Sequence, residues 1–224
     1  MARTLVFVHT VPSVVELFAR LSRELLPADV EVWHVADEIL LNAVLTAGGL
    51  SPVIHQRVSE HVVSAEQAGA AAVQLTCSSI SPCSETAQAL VRIPVLKIDE
   101  PMVDRALALG ARIGVVATAP TTLRPTSELL QARARAAGKD VQIESYVAEG
   151  AYAALFGGDP AVHDAIVRRS IEDLLQRNDV VVLAQASMAR VVEALPAEVR
   201  ARPILTSPRL ALERAALMLE EPTG

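Results

Sequence analysis

The stretch VQLTCSS, residues 73–79, carries a short apolar run into a cluster of hydroxyls, with Cys77 at the junction. A buried strand would give way to a loop there. The thiolate form of cysteine is both nucleophile and base, and hydroxyls, backbone N–H groups and a following helix N-terminus can all steady it. A thiolate beside a carbon acid can remove a proton next to a carboxylate. The stretch VVLAQAS, residues 181–187, repeats the pattern with Gln185 in place of the cysteine. An amide neither takes nor gives a proton usefully at neutral pH, so two similar passages offer unlike chemistry. The competing reading of Cys77 is a small buried hydrophobe at a strand end. Cys83, just inside the next predicted helix, is read as structural.

Other side chains could assist. His9 ends the first apolar run and is either a general acid/base or a hydrogen-bonding partner of loop backbone. His34, His55, His61 and His163 have no partner at an interpretable spacing and read as surface or core residues. The segment ATAPTTLRPT, residues 117–126, places Thr118, Thr121 and Thr122 at a strand-to-helix junction, where they would bind an anion or cap the helix. The pairs Asp37-Glu38 and Asp99-Glu100 read as caps and solvated loops. No GxGxxG, Walker A loop or nucleophile elbow is present, and no Cys/His cluster has zinc-ligand spacing. Neither a metal nor an organic cofactor is indicated.

The elements that must position these residues follow from periodicity. Eight short apolar runs, TLVFVH (4–9), VEVWHV (30–35), AVQLT (72–76), PVLKI (94–98), RIGVVAT (112–118), VQIES (141–145), DVVVLA (179–184) and PILTS (203–207), alternate with amphipathic segments. Strands separated by helices imply parallel sheets. Val14, Leu17, Phe18, Leu21 and Leu25 fall at helical spacing, as do Val167, Ile171, Leu174 and Leu175, so both sets read as core faces. Gly157-Gly158 with Asp159-Pro160 reads as a turn opening a helix over 161–177.

The chain also repeats itself. VHTVP at 8–12 matches VATAP at 116–120, and Cys77 matches Gln185, both at an offset of 108 residues. PVLKIDEPMVDRA from Pro94 then matches PILTSPRLALERA from Pro203 at an offset of 109. The expected architecture is therefore α/β, with two similar pseudo-twofold-related lobes, each a mainly parallel four-stranded sheet flanked by helices. The first lobe is expected over 1–98, with 207–224 packing back on it, and the second over 99–206. Ligands of open parallel sheets bind outside the carboxyl ends of the strands. His9, Thr10, Cys77, Ser78, Ser79, Thr118, Gln185, Ala186 and Ser187 all fall at such ends, and facing lobes would bring them to one substrate.

Bulk properties bound the partners. A chain of 224 residues with 51% hydrophobic residues supplies a sizeable core without staples. The net charge of -6 and the lack of a dense basic cluster argue against nucleic acid, and 3% aromatic content argues against base stacking. RARAAGK, residues 133–139, is a solvated helix face. No apolar stretch of about 18 residues would span a bilayer, and the N-terminus lacks a signal-peptide core. Two cysteines without a disulfide framework point to a reducing, cytoplasmic setting.

LTCSS at 75–79, RIGVVATAPTTLRPT at 112–126 and VVLAQASMA at 181–189 together resemble the aspartate/glutamate/hydantoin racemase superfamily over essentially the whole chain. The last stretch is similar to the family's second motif, in which Leu-Gly-Cys-Ala-Gly-Met would occupy Leu183 to Met188. The resemblance implies a two-lobed, cofactor-independent isomerase, a homodimer or higher homo-oligomer, acting on a small carboxylate-bearing substrate such as an amino acid or hydantoin-like acid. Family members use one cysteine from each lobe as opposed acid/bases. The first carries over to Cys77, and the second falls on Gln185. Losing one of two acid/bases should cost about 10²- to 10⁴-fold. Inversion would then need another acid, for which His9 is the candidate, since a water or Ser187 is a poor one unaided. By the same resemblance Gln185 would hydrogen-bond the substrate or its enolate, and Ser78, Ser79, Thr118 and Thr122 would hold the carboxylate, with Thr10, Thr76, Thr121, Ala186 and Ser187 around it. Two alternatives stand beside this reading. One is a one-cysteine decarboxylase or cis-trans isomerase of a small dicarboxylic acid, resembling arylmalonate decarboxylase or maleate isomerase; the decarboxylase retains the other lobe's thiol. The other is an inactive small-acid binding protein.

Overall fold

All eight apolar runs form strands, and the computed structural model, which describes residues 3–220, arranges them in two parallel four-stranded sheets. The described residues fall into two compact units, one built from the chain up to Ile98 and from Pro208 onward, the other Asp99–Ser207.

The first unit runs β1 (Arg3–His9), α1 (Val15–Leu25), β2 (Val30–Ala36), α2 (Glu38–Ala47), α3 (Pro52–Gln67), β3 (Ala72–Leu75), α4 (Cys83–Gln88) and β4 (Val95–Lys97), with strand order β2-β1-β3-β4. β1 and β3 are central and buried on both faces, which is why they read as mainly apolar rather than alternating, with buried Gln74 the exception in β3. β2 is an edge strand and alternates. On one face Val6, Val8, Val73 and Leu75 pack with Leu40, Val44, Ile54, Val58 and Val62 from α2 and α3. On the opposite face Phe7 meets Phe18 of α1, with ring centroids 5.2 Å apart. That contact accounts for the helical stripe through Phe18. Asp37 caps α2 by accepting the Ile39 N–H at 3.1 Å, as its sequence position suggested.

The second unit runs α5 (Glu100–Leu109), β5 (Arg112–Ala117), α6 (Pro120–Ala136), β6 (Gln142–Val147), α7 (Ala151–Phe156), α8 (Pro160–Leu175), β7 (Val180–Leu183), α9 (Ala189–Glu193), α10 (Ala197–Arg200) and β8 (Ile204–Thr206), with strand order β6-β5-β7-β8. A last helix, α11 (Ser207–Glu220), follows β8. Val167, Ile171, Leu174 and Leu175 of α8 are buried against Val181, Leu183 and Met188.

The repeat seen in the sequence is a repeat of strand register. Leu5 pairs with Ala72 and Ile113 with Val180, so both partners recur 108 positions later. Val73 pairs with Val95 and Val181 with Ile204, where the second partner recurs 109 positions later. The one-residue shift from 108 to 109 therefore arises between the third and fourth strands, while the second strand recurs 111 positions later, Val32 at Ile143. Among the described residues no helix is long and apolar enough to cross a membrane.

Candidate active site

β1 ends at His9 and β3 at Leu75, side by side, and the loop that follows β3 is tightly held. The Thr76 N–H and the Thr76 hydroxyl both donate to the Val8 carbonyl, at 3.1 and 3.0 Å. Cys77 comes next as a free, half-buried thiol lying against the edge of the core. Its carbonyl accepts the Ile80 N–H at 3.1 Å, and a second turn from Ser78 to Ser81 coils the chain into α4. Ser78 and Ser79 are buried in these turns. Thr10, at the end of β1, is buried as well, and its hydroxyl has no hydrogen-bond partner among the described residues. Cys83 is fully buried; burial, and then the neighbouring Cys77, push its thiol up to about 12. It stays protonated at neutral pH, in keeping with a structural part.

His9 lies inside the fold. Its ring is fully buried, with Nδ1 2.8 Å from the Thr76 hydroxyl and Nε2 2.9 Å from Nδ1 of His34. Neither ring nitrogen is left for a substrate. Burial, with His34 adding to it, lowers the His9 pKa to about 3, so the ring is neutral at physiological pH and has no proton to give as an acid. This burial speaks against the expectation that His9 replaces the missing second acid. His34, which has no legible partner in the sequence, stacks on both Phe7 and His9, at 5.4 and 5.2 Å. The two histidines are 25 residues apart and meet because Phe7 and His34 are register partners of β1 and β2. Nothing local signals that pairing.

In the second unit the matching loop has the same turn. The Met188 N–H donates to the Gln185 carbonyl at 3.1 Å, as the Ile80 N–H does to Cys77, and both Ile80 and Met188 are fully buried. Gln185 is half-buried, with Ala186 and Ser187 half-buried beside it in a short 3-10 turn, Ala186–Met188. The Gln185 side-chain oxygen accepts the Thr118 N–H at 2.6 Å and the Thr118 hydroxyl at 2.9 Å. A backbone N–H only donates, so the amide is oriented without ambiguity: its oxygen faces Thr118 and its NH₂ faces away. Thr118 was expected to hold a substrate carboxylate or cap α6. Both its donors are instead taken by Gln185, and no side chain caps α6. Thr121 and Thr122 lie in the first turn of that helix. The Thr121 hydroxyl is buried without a partner among the described residues, and the Thr122 carbonyl accepts the Thr126 hydroxyl at 3.2 Å.

Other titratable side chains are engaged elsewhere. Asp37 accepts from Arg57 and from His61 Nε2 at 2.7 Å, His55 Nδ1 meets the Thr86 hydroxyl at 2.9 Å, and His163 Nδ1 meets Asp164 at 2.7 Å. Among the described residues no three His, Cys, Asp or Glu side chains are grouped to hold a metal ion.

A sequence model of the Asp/Glu/Hydantoin racemase family matches residues 10–215. No curated relative matches the chain. Among solved structures it is similar to an allantoin racemase from Klebsiella pneumoniae, with 17% identity, TM-score 0.72, and coverage of 99% of this chain and 90% of that one. A glutamate racemase isoform from Bacillus anthracis is 16% identical with TM-score 0.73, covering 97% of this chain and 82% of the other. An aspartate racemase homologue from Pyrococcus horikoshii is 14% identical with TM-score 0.67, covering 98% and 99% respectively. At these identities the structural likenesses speak for the fold, while the family match spans nearly all of the chain.

Proposed function

Because this chain belongs to the Asp/Glu/Hydantoin racemase family, we propose that it moves a proton at the carbon next to a carboxylate or carbonyl of a small acid, without a cofactor, using Cys77. Family membership makes it a racemase-type enzyme of the isomerase class. In the proposal the Cys77 thiolate is the acid/base or nucleophile. The Gln185 NH₂ donates to the substrate carbonyl or to the enolate that forms when the proton leaves. The observation that carries the reading is the matched pair of turns: one holds a half-buried free thiol, the other an amide whose oxygen is fixed by Thr118 so that its donors face away. A fixed donor aimed at developing negative charge stabilises an enolate more than the neutral substrate, which is what acceleration requires.

The same pair of residues favours a second reading, one-sided chemistry. With an amide at position 185 and His9 buried and neutral, neither supplies an acid for the opposite face. Decarboxylation with protonation by the thiol, or cis-trans isomerisation through a Cys77 adduct, needs only one thiol.

One experiment separates the readings. Candidate amino acids, hydantoin-like acids and small dicarboxylic acids are incubated in D₂O and followed by proton NMR with chiral analysis. Exchange with inversion supports the racemase; exchange, CO₂ release or a geometric change with one stereochemical outcome supports the one-sided reading. Binding with none of these would make the chain an inactive small-acid binder. Cys77→Ala should abolish turnover and leave the fold intact, and retained turnover would remove Cys77 from the mechanism.

A further inference from the structure

We propose that His34, His9 and Thr76 form a one-directional hydrogen-bond chain that fixes Cys77 in place, with the two histidines acting as positioning residues. The inference rests on Cys77 being the working thiol.

The direction of the chain follows from counting protons. The Thr76 hydroxyl has one, and in the proposed chain it goes to the Val8 carbonyl, 3.0 Å away. The same oxygen lies 2.8 Å from His9 Nδ1, so with that proton on Val8 the chain has Nδ1 carrying its own proton and donating. In a neutral imidazole the other nitrogen is then an acceptor. His9 Nε2 therefore receives the proton of His34 Nδ1, 2.9 Å away. Thr76 precedes Cys77 directly, and its N–H is also tied to the Val8 carbonyl. Backbone and side chain of the residue before the thiol are thus both anchored to β1.

The chain is built inside the fold. His9 is fully buried, Thr76 is buried, and His34 is half-buried on the edge strand, stacked on His9 and Phe7. An imidazole in water favours no such fixed partner on both sides. Here the acceptor at Val8 and the donor at His34 select one tautomer together. If His34 stopped donating, His9 would be free to carry its proton on Nε2. Nδ1 would then become an acceptor, and the Thr76 hydroxyl would turn from Val8 towards His9. The thiol's neighbour would lose one of its two anchors to β1. Burial keeps His9 neutral throughout the working range, so the chain persists there.

The test uses the full chain with iodoacetamide as the probe. Alkylation of Cys77 is followed by site-localised mass spectrometry, because Cys83 is buried and its thiol stays protonated. Nitrogen-15 NMR of the histidine rings reads the tautomer. The wild type should show His9 with a protonated Nδ1 and a bare Nε2. His34→Phe keeps a stacked ring and removes the donor; it should mix or reverse the tautomer and change the Cys77 alkylation rate by about threefold or more, the equivalent of one neutral hydrogen bond. His34→Asn restores an N–H at the Nδ1 position and should return both readings towards wild type, which a purely space-filling role for His34 would not predict. A wild-type His9 protonated on Nε2, or a smaller rate change in His34→Phe, would overturn the chain. Should His34→Phe fail to fold, the wild-type tautomer and His34→Asn still decide. Turnover retained in Cys77→Ala beside an altered alkylation rate in His34→Phe would sink the functional reading and leave the chain standing.

Discussion

Replacing Gln185 with Leu removes two things at once: the acceptor that occupies Thr118 and the donor assigned to the substrate. The first has a size that the structure sets. Thr118 is 6% exposed, and its N–H and hydroxyl bond Gln185 at 2.6 and 2.9 Å. The hydroxyl can rotate to another acceptor. The N–H cannot, and a backbone donor left unpaired costs about 1–3 kcal/mol. Gln185 itself is half-buried, so water reaches part of the gap and the lower end applies, about 1–2 kcal/mol. For a chain of 224 residues that lowers the melting temperature by roughly 2–8 °C. The second loss acts on rate. Removing one preorganised donor from a developing oxyanion typically costs about 10²- to 10³-fold in kcat. It should fall on kcat more than on KM, because the charge is present in the transition state and not in the substrate. Calorimetry and proton exchange in D₂O measure the two effects separately. Thr118→Val is the companion: it keeps the backbone bond to Gln185, so the amide stays oriented and kcat should fall by less than about tenfold. If Gln185→Leu kept kcat within about threefold of wild type, Gln185 would not be the donor. If Thr118→Val were as damaging as Gln185→Leu, Thr118 would hold the substrate itself.

Three further changes test neighbouring steps. Gln185→Cys restores a thiol to the second turn; inversion should appear where the wild type gives a single stereochemical outcome, by chiral chromatography of the product, and its absence in a folded variant would show that a second thiol is not what inversion lacks. Asp179 is held down to about 2 by the Arg112 guanidinium, with backbone N–H groups of Arg112 and Ala111 adding to it. Its contribution to stability is complete above its ordinary value of 3.8 and is lost as pH falls through about 2, so urea midpoints at pH 6 and pH 2.5 should differ less in Asp179→Asn than in wild type. Gly110→Ala would drive a Cβ into that of Asp179, forcing the carboxylate off Arg112 and lowering the unfolding midpoint; an unchanged midpoint would mean the segment before β5 yields freely.

What the sequence discloses is local or periodic. Mainly apolar runs mark β1, β3, β5 and β7 as central strands, and an offset of about 108 residues reveals the doubled register, because both survive wherever the elements pack. Cys77 and Gln185 are legible for the same reason: each is the second residue after a recognisable strand. Partners are another matter. Thr118 and Gln185 lie 67 residues apart and meet through the pairing of β5 with β7, and His9 meets His34 through the pairing of β1 with β2. Strand order and register decide those contacts, and neither is written in spacing. The consequence reaches the chemistry. Read from sequence, Thr118 is an anion donor or a helix cap and His9 an acid/base or a hydrogen-bonding partner; in the fold Thr118 bonds the Gln185 amide oxygen, and His9 is buried between Thr76 and His34. The exchange of sulfur for carboxamide therefore leaves the turn intact, and it changes what that turn can offer: an oriented N–H donor in place of a group that carries a proton.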